Sequence, residues 1–298
     1  MEFSLEKRAW LAAWSRYPSI AQFEAIKARY GTLAHYCELH HIPLDDASMD
    51  EVLAWAAQPA CHVVLATEPE YPVLLAHTVG APPLLFVHGS LKALGMRQVA
   101  VVGARKASAD GVRDAYEIAH ALACAGWAVT SGLAWGIDAA AHRGVLMAGG
   151  VTLAVMGTGL GNIYPREHSR LASAIVEKGG AWVSELPLSF GPRPAQFPRR
   201  NRIISGLAQG VFVVEAAERS GSLCTARYAL EQGREVFARP GPVRDPLSRG
   251  CHALIRQGAK LVETVADILE ELHPDLGHIA LGIAQRATIS SSARKEIF

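Results

Sequence analysis

No stretch of this sequence is apolar for long enough to span a bilayer, which argues against a transmembrane helix. The start, with Glu2, Glu6, Lys7 and Arg8 close together, lacks the basic-then-apolar pattern of a secretory signal, so the expected location is cytoplasmic. Cysteine is scarce: the five residues Cys37, Cys61, Cys124, Cys224 and Cys251 include no CxxC pair. That excludes a disulfide framework and the usual zinc spacings, and leaves reduced, mostly buried thiols. His35, His40 and His41 have no cysteine or carboxylate at zinc-like spacing, so no metal is expected. A charge surplus is missing too, the net being +1, so overall charge does not announce a nucleic-acid partner. There is no GxxxxGK[ST] motif, which excludes a P-loop NTPase. The nearest approach to a dinucleotide fingerprint, Gly157, Gly159 and Gly161, has its third glycine one residue early, and Glu177 falls in a predicted helix; no cofactor is expected.

What is present centres on TSGLAWGIDAAAH, Thr130 to His142, where an apolar strand ends in a glycine loop that opens into a helix. Gly132 and Gly136 permit backbone shapes closed to other residues, and a helix start offers free N–H groups and the positive end of its dipole. Such a start suits a phosphate. Asp138 and His142 share a helix face, an arrangement read as structural, with Asp138 favoured by the dipole.

Around that stretch the chain reads as three parts. Residues 1–57 are expected to be all-helical, with starts marked by capping-box spacing at Ser19/Gln22 and Ser48/Glu51. Residues 58–272 begin with a proline-rich hinge, with prolines at 59, 69, 72, 82 and 83 that confine strands to edges or short pieces. Apolar strands then alternate with amphipathic helices: Val99–Val102, Trp127–Thr130, Val151–Met156, Ala181–Ser184, Val211–Val214, Glu235–Ala238 and Lys260–Val262. This predicts a Rossmann-like, doubly wound, mostly parallel α/β sheet. Residues 273–298, with a proline, glycines and a serine cluster, read as a linker or tail. Leu254, Ile255 and Val265 to Leu272 offer apolar surface near the end of the main domain.

In such sheets ligands lie beyond the carboxyl ends of the strands. There the sequence puts Gly103, Arg105 and Lys106; Ser131 and Gly132; the glycines of residues 157–161; a long loop carrying Arg193, Phe197, Arg199, Arg200, Asn201 and Arg202; and Ser220 and Gly221 at a helix start. From Leu186 to Val214 there are four arginines and no acid, so a nearly neutral chain can still present a positive rim. Repeated anion sites along a rim fit a polymer of phosphates better than one nucleotide, with Phe197 available to stack on a base. The alternative for the arginines is ion pairing with Glu185 and Glu215.

The segments VAVVGARKAS, SGLAWGIDAAAH, VMGTGLGNIYP, SELP, FPRRNRIISGLA, VVEAAERSGSLCTARYALEQGREVFARPG and GCHALIRQGAK closely resemble, in order, the motifs of the DprA/Smf DNA-processing family over roughly residues 60–265. The resemblance implies a Rossmann-like core, a small helical (SAM-like) N-terminal domain, a homodimer, and no established catalytic activity. It also implies sequence-independent binding and protection of single-stranded DNA, and loading of the RecA recombinase onto it during natural transformation. By position, the family's DNA-contacting arginine falls on Arg105, and its stacking and basic loop residues on Phe197 and Arg199 to Arg202. The chain departs from the pattern at Ala104, where Ser or Thr is usual, and at Asp110; residues 273–298 are too few for the winged-helix domain that ends many members. Two other classes stand beside this reading. One is a nucleotide-processing enzyme similar to the PGGxGT phosphoribohydrolases, with Glu215 or Glu231 as its acid; the other is a purely structural dimer that docks partners.

Overall fold

A computed structural model describes residues 3–14, 20–44 and 47–272. Four helices come first: α1 (Leu5–Trp14), α2 (Ile20–Tyr30), α3 (Leu33–Leu39) and α4 (Ala47–Ala56). Thr32 caps α3 by accepting from the His35 N–H. α4 starts at Ala47, so Ser48 lies inside the helix and not at its cap, while Ser19 lies outside the described residues. These helices do not bury their apolar faces only against one another. Trp14 and Trp55 approach Phe86 edge-on, at 6.1 and 5.9 Å between ring centroids, and one buried cluster runs from Trp10 and Phe23 to Phe86 and Trp182.

The remaining elements are β1 (Cys61–Leu65), α5 (Val73–Ala76), β2 (Leu84–Gly89), α6 (Leu91–Leu94), β3 (Gln98–Val102), α7 (Ala109–Cys124), β4 (Ala128–Ser131) and α8 (Ile137–Met147). They continue with β5 (Thr152–Val155), a 3-10 turn (Arg166–His168), α9 (Ser169–Glu177), β6 (Ala181–Ser184), α10 (Gln196–Leu207), β7 (Gly210–Val213) and α11 (Gly221–Glu231). Last come β8 (Glu235–Ala238), α12 (Arg249–Arg256), β9 (Lys260–Leu261) and α13 (Val265–Leu272). The nine strands form one sheet ordered β1-β2-β6-β5-β4-β3-β7-β8-β9, antiparallel at β1/β2 and β2/β6 and parallel elsewhere. This is the Rossmann-like α/β sheet the alternation predicts. β2 departs from the expectation of edge or short strands: at six residues it is the longest of the nine and is interior, paired on both sides, because Pro82 and Pro83 precede it and do not fall within it.

Side chains alternate between faces along each strand, so a parallel strand must be apolar throughout. In β3, Ala100 and Val102 join one core with Ile203, Ile204 and Leu207 of α10, while Val99 and Val101 join the other with α7, α8 and α13. The apolar side of α13 is thus already covered: Val265, Ile268 and Leu269 are buried, and Leu254 with them, so the free surface expected there is largely absent. α7 and α8 pack closely because residue 144 is glycine; a Cβ there would stand 2.2 Å from the Tyr116 carbonyl oxygen. No helix among the described residues is long and apolar enough to cross a membrane.

The segment read as a long loop ending at Arg202 is helical from Gln196. Pro198 falls in the first turn, where the missing N–H has no carbonyl to meet, so it does not break the helix. The buried face of Ile203, Ile204 and Leu207 then fixes which way each arginine points.

Candidate functional site

Strand order reverses direction between β3 and β7, and the crevice at such a switch point is where open α/β sheets bind ligands. A cleft of about 430 Å³ lies there. Gly103 and Arg105 beyond β3, Phe197, Arg200 and Asn201 from α10, and Ser220 and Gly221 at the start of α11 all line it. Residues more than a hundred positions apart in sequence therefore share one wall.

Arg105 is exposed, and its guanidinium carbon sits 5.4 Å from the centre of the Phe197 ring, within cation–π range. Phe197 is part-exposed and rests on Gly157, where a Cβ would stand 2.6 Å from the ring. The third glycine loop thus seats an aromatic ring. Gly159 is needed for packing too, since a Cβ there would stand 1.8 Å from the Pro187 carbonyl oxygen. Gly103 has a packing reason as well, since a Cβ there would stand 2.6 Å from Ile137 Cγ1.

Of the helices that begin at this edge, α7 and α8 have starts already filled from within. At α8, Asp138 accepts from the Gly132 N–H at 3.1 Å and the Ala134 N–H at 3.3 Å, and the Ile137 N–H goes to the Ala104 carbonyl at 3.2 Å. At α7, Glu215 accepts from the Ser108 N–H at 2.9 Å and from the Ser108 hydroxyl, which in turn caps Gly111. Gly111 is required because a Cβ would lie 2.3 Å from the Glu215 carboxyl carbon. The start of α11 differs. Ser220 caps the Ser222 N–H at 3.3 Å, Gly221 is exposed with open space around it, and the carboxylate that lines the cleft, Asp138, is committed to the N–H groups before α8. Asn201 braces this corner, donating to the Gly221 carbonyl at 3.2 Å.

Several residues expected on the rim turn inward. Ser131 is buried and donates to the Val101 carbonyl at 2.6 Å, and the Gly132 N–H is held by Asp138, so neither is presented to a ligand. Arg200 is buried, donating to the carbonyls of Gly132, at 2.9 Å, and Val155. Burial lowers its pKa to about 10, still charged at neutrality, with Asp138 opposing the shift. Burial likewise pushes the Asp138 carboxyl upward against the pull of Arg200. Arg202 is buried and grips Glu185 with both terminal nitrogens, at 2.6 and 2.7 Å, while Nε donates to the Gly80 carbonyl at 2.8 Å. These two arginines brace α10 against the sheet edge, so the ion-pair alternative fits Arg202. Glu215 meets Arg239 at 4.0 Å instead of an arginine of that block.

The exposed cations are fewer. Lys106 follows Arg105 and is exposed; Arg193 is exposed and lies 4.5 Å over the Phe190 ring; Arg199 is exposed, with one nitrogen 3.3 Å from Glu185. Asp110, the added charge near the rim, is paired with Arg113 at 2.8 Å. Neither acid of the phosphoribohydrolase-like reading lies in the cleft: Glu215 is buried at α7, and Glu231 ends α11, roughly 15 Å along the helix from its start. Asp138 and His142 do not bond each other; His142 Nδ1 lies 2.7 Å from Thr152 Oγ1 instead. No group of three or more potential metal ligands occurs among the described residues.

Two aromatic residues not singled out as site residues also reach this edge. Trp135 and Tyr164 are 47% and 44% exposed and border a recess shared with Arg105 and Phe197. The only sequence signal was a large ring inside each of two glycine loops, which by itself reads equally well as core.

The family model of "DNA recombination-mediator protein A" matches residues 62–273. Protein Smf of Escherichia coli is 53% identical over 225 residues, 76% of this chain and 60% of that protein. DNA processing protein DprA of Streptococcus pneumoniae is 46% identical over 201 residues, 67% of this chain and 71% of that protein. Among solved structures, DprA from Streptococcus pneumoniae superposes with a TM-score of 0.77 at 35% identity, over 91% of this chain and 99% of that one. DprA from Helicobacter pylori, described for its single-stranded DNA binding mode, gives 0.63 at 26%, over 68% and 93%. The chain thus spans less than two thirds of the Escherichia coli protein.

Proposed function

The chain belongs to the DNA recombination-mediator protein A family, also known as DprA/Smf, and from that premise we propose that it binds single-stranded DNA without sequence preference in the cleft between β3 and β7. One observation carries the reading: an exposed arginine, a ring it can stack with, and one uncapped-by-acid helix start meet at the switch point of the sheet. The arginine supplies charge, the positive end of α11 with the Gly221 N–H positions a phosphate, and Phe197 takes a base, none of which reads sequence. The single-stranded DNA binding described for the Helicobacter pylori relative supports it. Protection of the strand and hand-over to RecA, in the cytoplasm and as a homodimer, complete the proposal on the strength of the family resemblance. No catalytic step is assigned.

The test is a titration with oligo-dT at several salt concentrations. Affinity should fall steeply with salt, and Arg105→Ala should weaken binding to every sequence alike while reducing the slope of log K against log salt by about 0.7. Phe197→Ala should weaken binding with the slope unchanged. Absent or salt-insensitive binding by the parent protein overturns the reading.

A further inference from the structure

The sequence has six tryptophans: Trp10, Trp127 and Trp182 are nearly fully buried, and Trp14 and Trp55 are half-buried against Phe86. Trp135 alone is exposed, at 47%. Leaving an indole in water forfeits burial that every other tryptophan of the chain obtains. The loop holds it there under constraint. Leu133, two residues before it, has φ of +56°, a left-handed conformation unfavourable for a branched side chain. Gly136, just after it, presses so closely on the neighbouring turn that a Cβ would stand 2.3 Å from the Ala104 carbonyl oxygen and 2.7 Å from that of Arg105. The backbone around Trp135 is therefore locked against the backbone of Arg105.

The indole also leans on the buried ring of His168, at 4.4 Å between centroids and 57°, and His168 is itself fixed by a 2.8 Å bond between Nδ1 and the Leu133 carbonyl. One side of the indole is thus backed and the rest is open. Across the same recess Tyr164 lies 5.4 Å from Phe197, and Phe197 lies under Arg105. Three aromatic rings, Trp135, Tyr164 and Phe197, thus border one recess together with Arg105 and the buried Arg200.

Resting on the reading that the cleft holds single-stranded DNA, we propose that Trp135 is a second base-stacking position, extending the platform of Phe197 and Tyr164 so that the bound strand lays at least two successive unpaired bases on this edge. Stacking on an aromatic ring accepts any base, because each presents a π-face. It adds affinity without adding counterion release, so its signature is a change in binding strength with no change in salt dependence.

The experiment compares the parent with Trp135→Ala and Trp135→Phe, using oligo-dT and an abasic strand of the same length at several salt concentrations. Trp135→Ala should weaken oligo-dT binding about five- to a hundredfold with the salt slope unchanged, Trp135→Phe should recover much of it, and the abasic strand should bind parent and Trp135→Ala alike. Should Trp135→Ala fold poorly, tryptophan fluorescence decides instead. Oligo-dT should quench the parent's emission, and Trp135→Phe should remove that quench, since none of the other five indoles lines the cleft or the recess. A parent that binds with steep salt dependence, with Trp135→Ala binding equally well or the quench persisting in Trp135→Phe, overturns the stacking position and leaves the cleft reading intact. A parent that does not bind oligo-dT overturns both.

Discussion

At the start of α8 a helix dipole, a glycine loop and a nearby guanidinium form an anion site that the protein occupies itself, with Asp138 against Arg200. At the start of α11, on the same cleft, serine and glycine leave the N–H groups without a resident acid. The two differ in what a carboxylate in the first turn does. Buried beside an arginine, it turns a ligand site into a strut, since a charge taken out of water must be paired. Where the first turn carries only small, neutral residues, the positive end of the dipole still faces solvent. The same division runs along α10, whose arginines at 200 and 202 are struts while Phe197 faces the cleft.

Breaking a strut should therefore affect stability before binding. Arg202→Ala removes the closest partner of the buried Glu185 carboxylate and should cost about 3–5 kcal/mol, read as a lower urea midpoint with little change in m-value. Replacing Arg202 and Glu185 together by methionine and leucine should recover most of the loss. An Arg202 variant of parental stability that has lost only oligonucleotide affinity would erase the distinction between struts and rim.

The strut side also carries a pH signature. Burial, with His168, Arg200 and Arg143 adding to it, lowers the His142 pKa to about 3, whereas an unfolded histidine titrates near 6.5. Between those values the unfolded chain holds the extra proton, so the contribution is complete above about pH 6.5 and is lost as pH falls. The loss should reach about 3 kcal/mol by pH 4, and burial lowers His62 and His88 in the same direction. Urea unfolding at pH 7 and pH 5 should show the decline, and His142→Asn should flatten it.

The smallest and most pointed change converts the open start into a filled one. Gly221→Asp adds a carboxylate at the first position of α11, where space is open and the dipole welcomes it, so stability should hold or rise by about 0.3–1 kcal/mol. Oligo-dT affinity should nevertheless fall on the order of tenfold from like-charge repulsion. Undiminished affinity would remove α11 from the contact surface.

Much of this molecule was legible in one dimension. Continuous apolar runs such as Val99–Val102 and Ala181–Ser184 announced buried parallel strands, and Ile137 to Met147 was bounded by its glycines, because side-chain period and backbone freedom are local properties. Ser220, Gly221 and Ser222 marked a helix start at Leu223 for the same reason, and α11 begins two residues earlier, at Gly221. Direction was not legible. Nothing near Arg202 in sequence shows that Glu185 and the Gly80 carbonyl lie beneath it, or that Ser131 turns to Val101. Nor could periodicity separate Trp135, held out by the Ala104 turn, from the five buried or half-buried tryptophans. Composition and period thus determined most of the elements and their order, α10 with its early start at Gln196 excepted, and the edge at which function gathers. Which of the charged and aromatic groups there face water was decided by the sheet, because burial and pairing depend on neighbours that only the tertiary fold supplies.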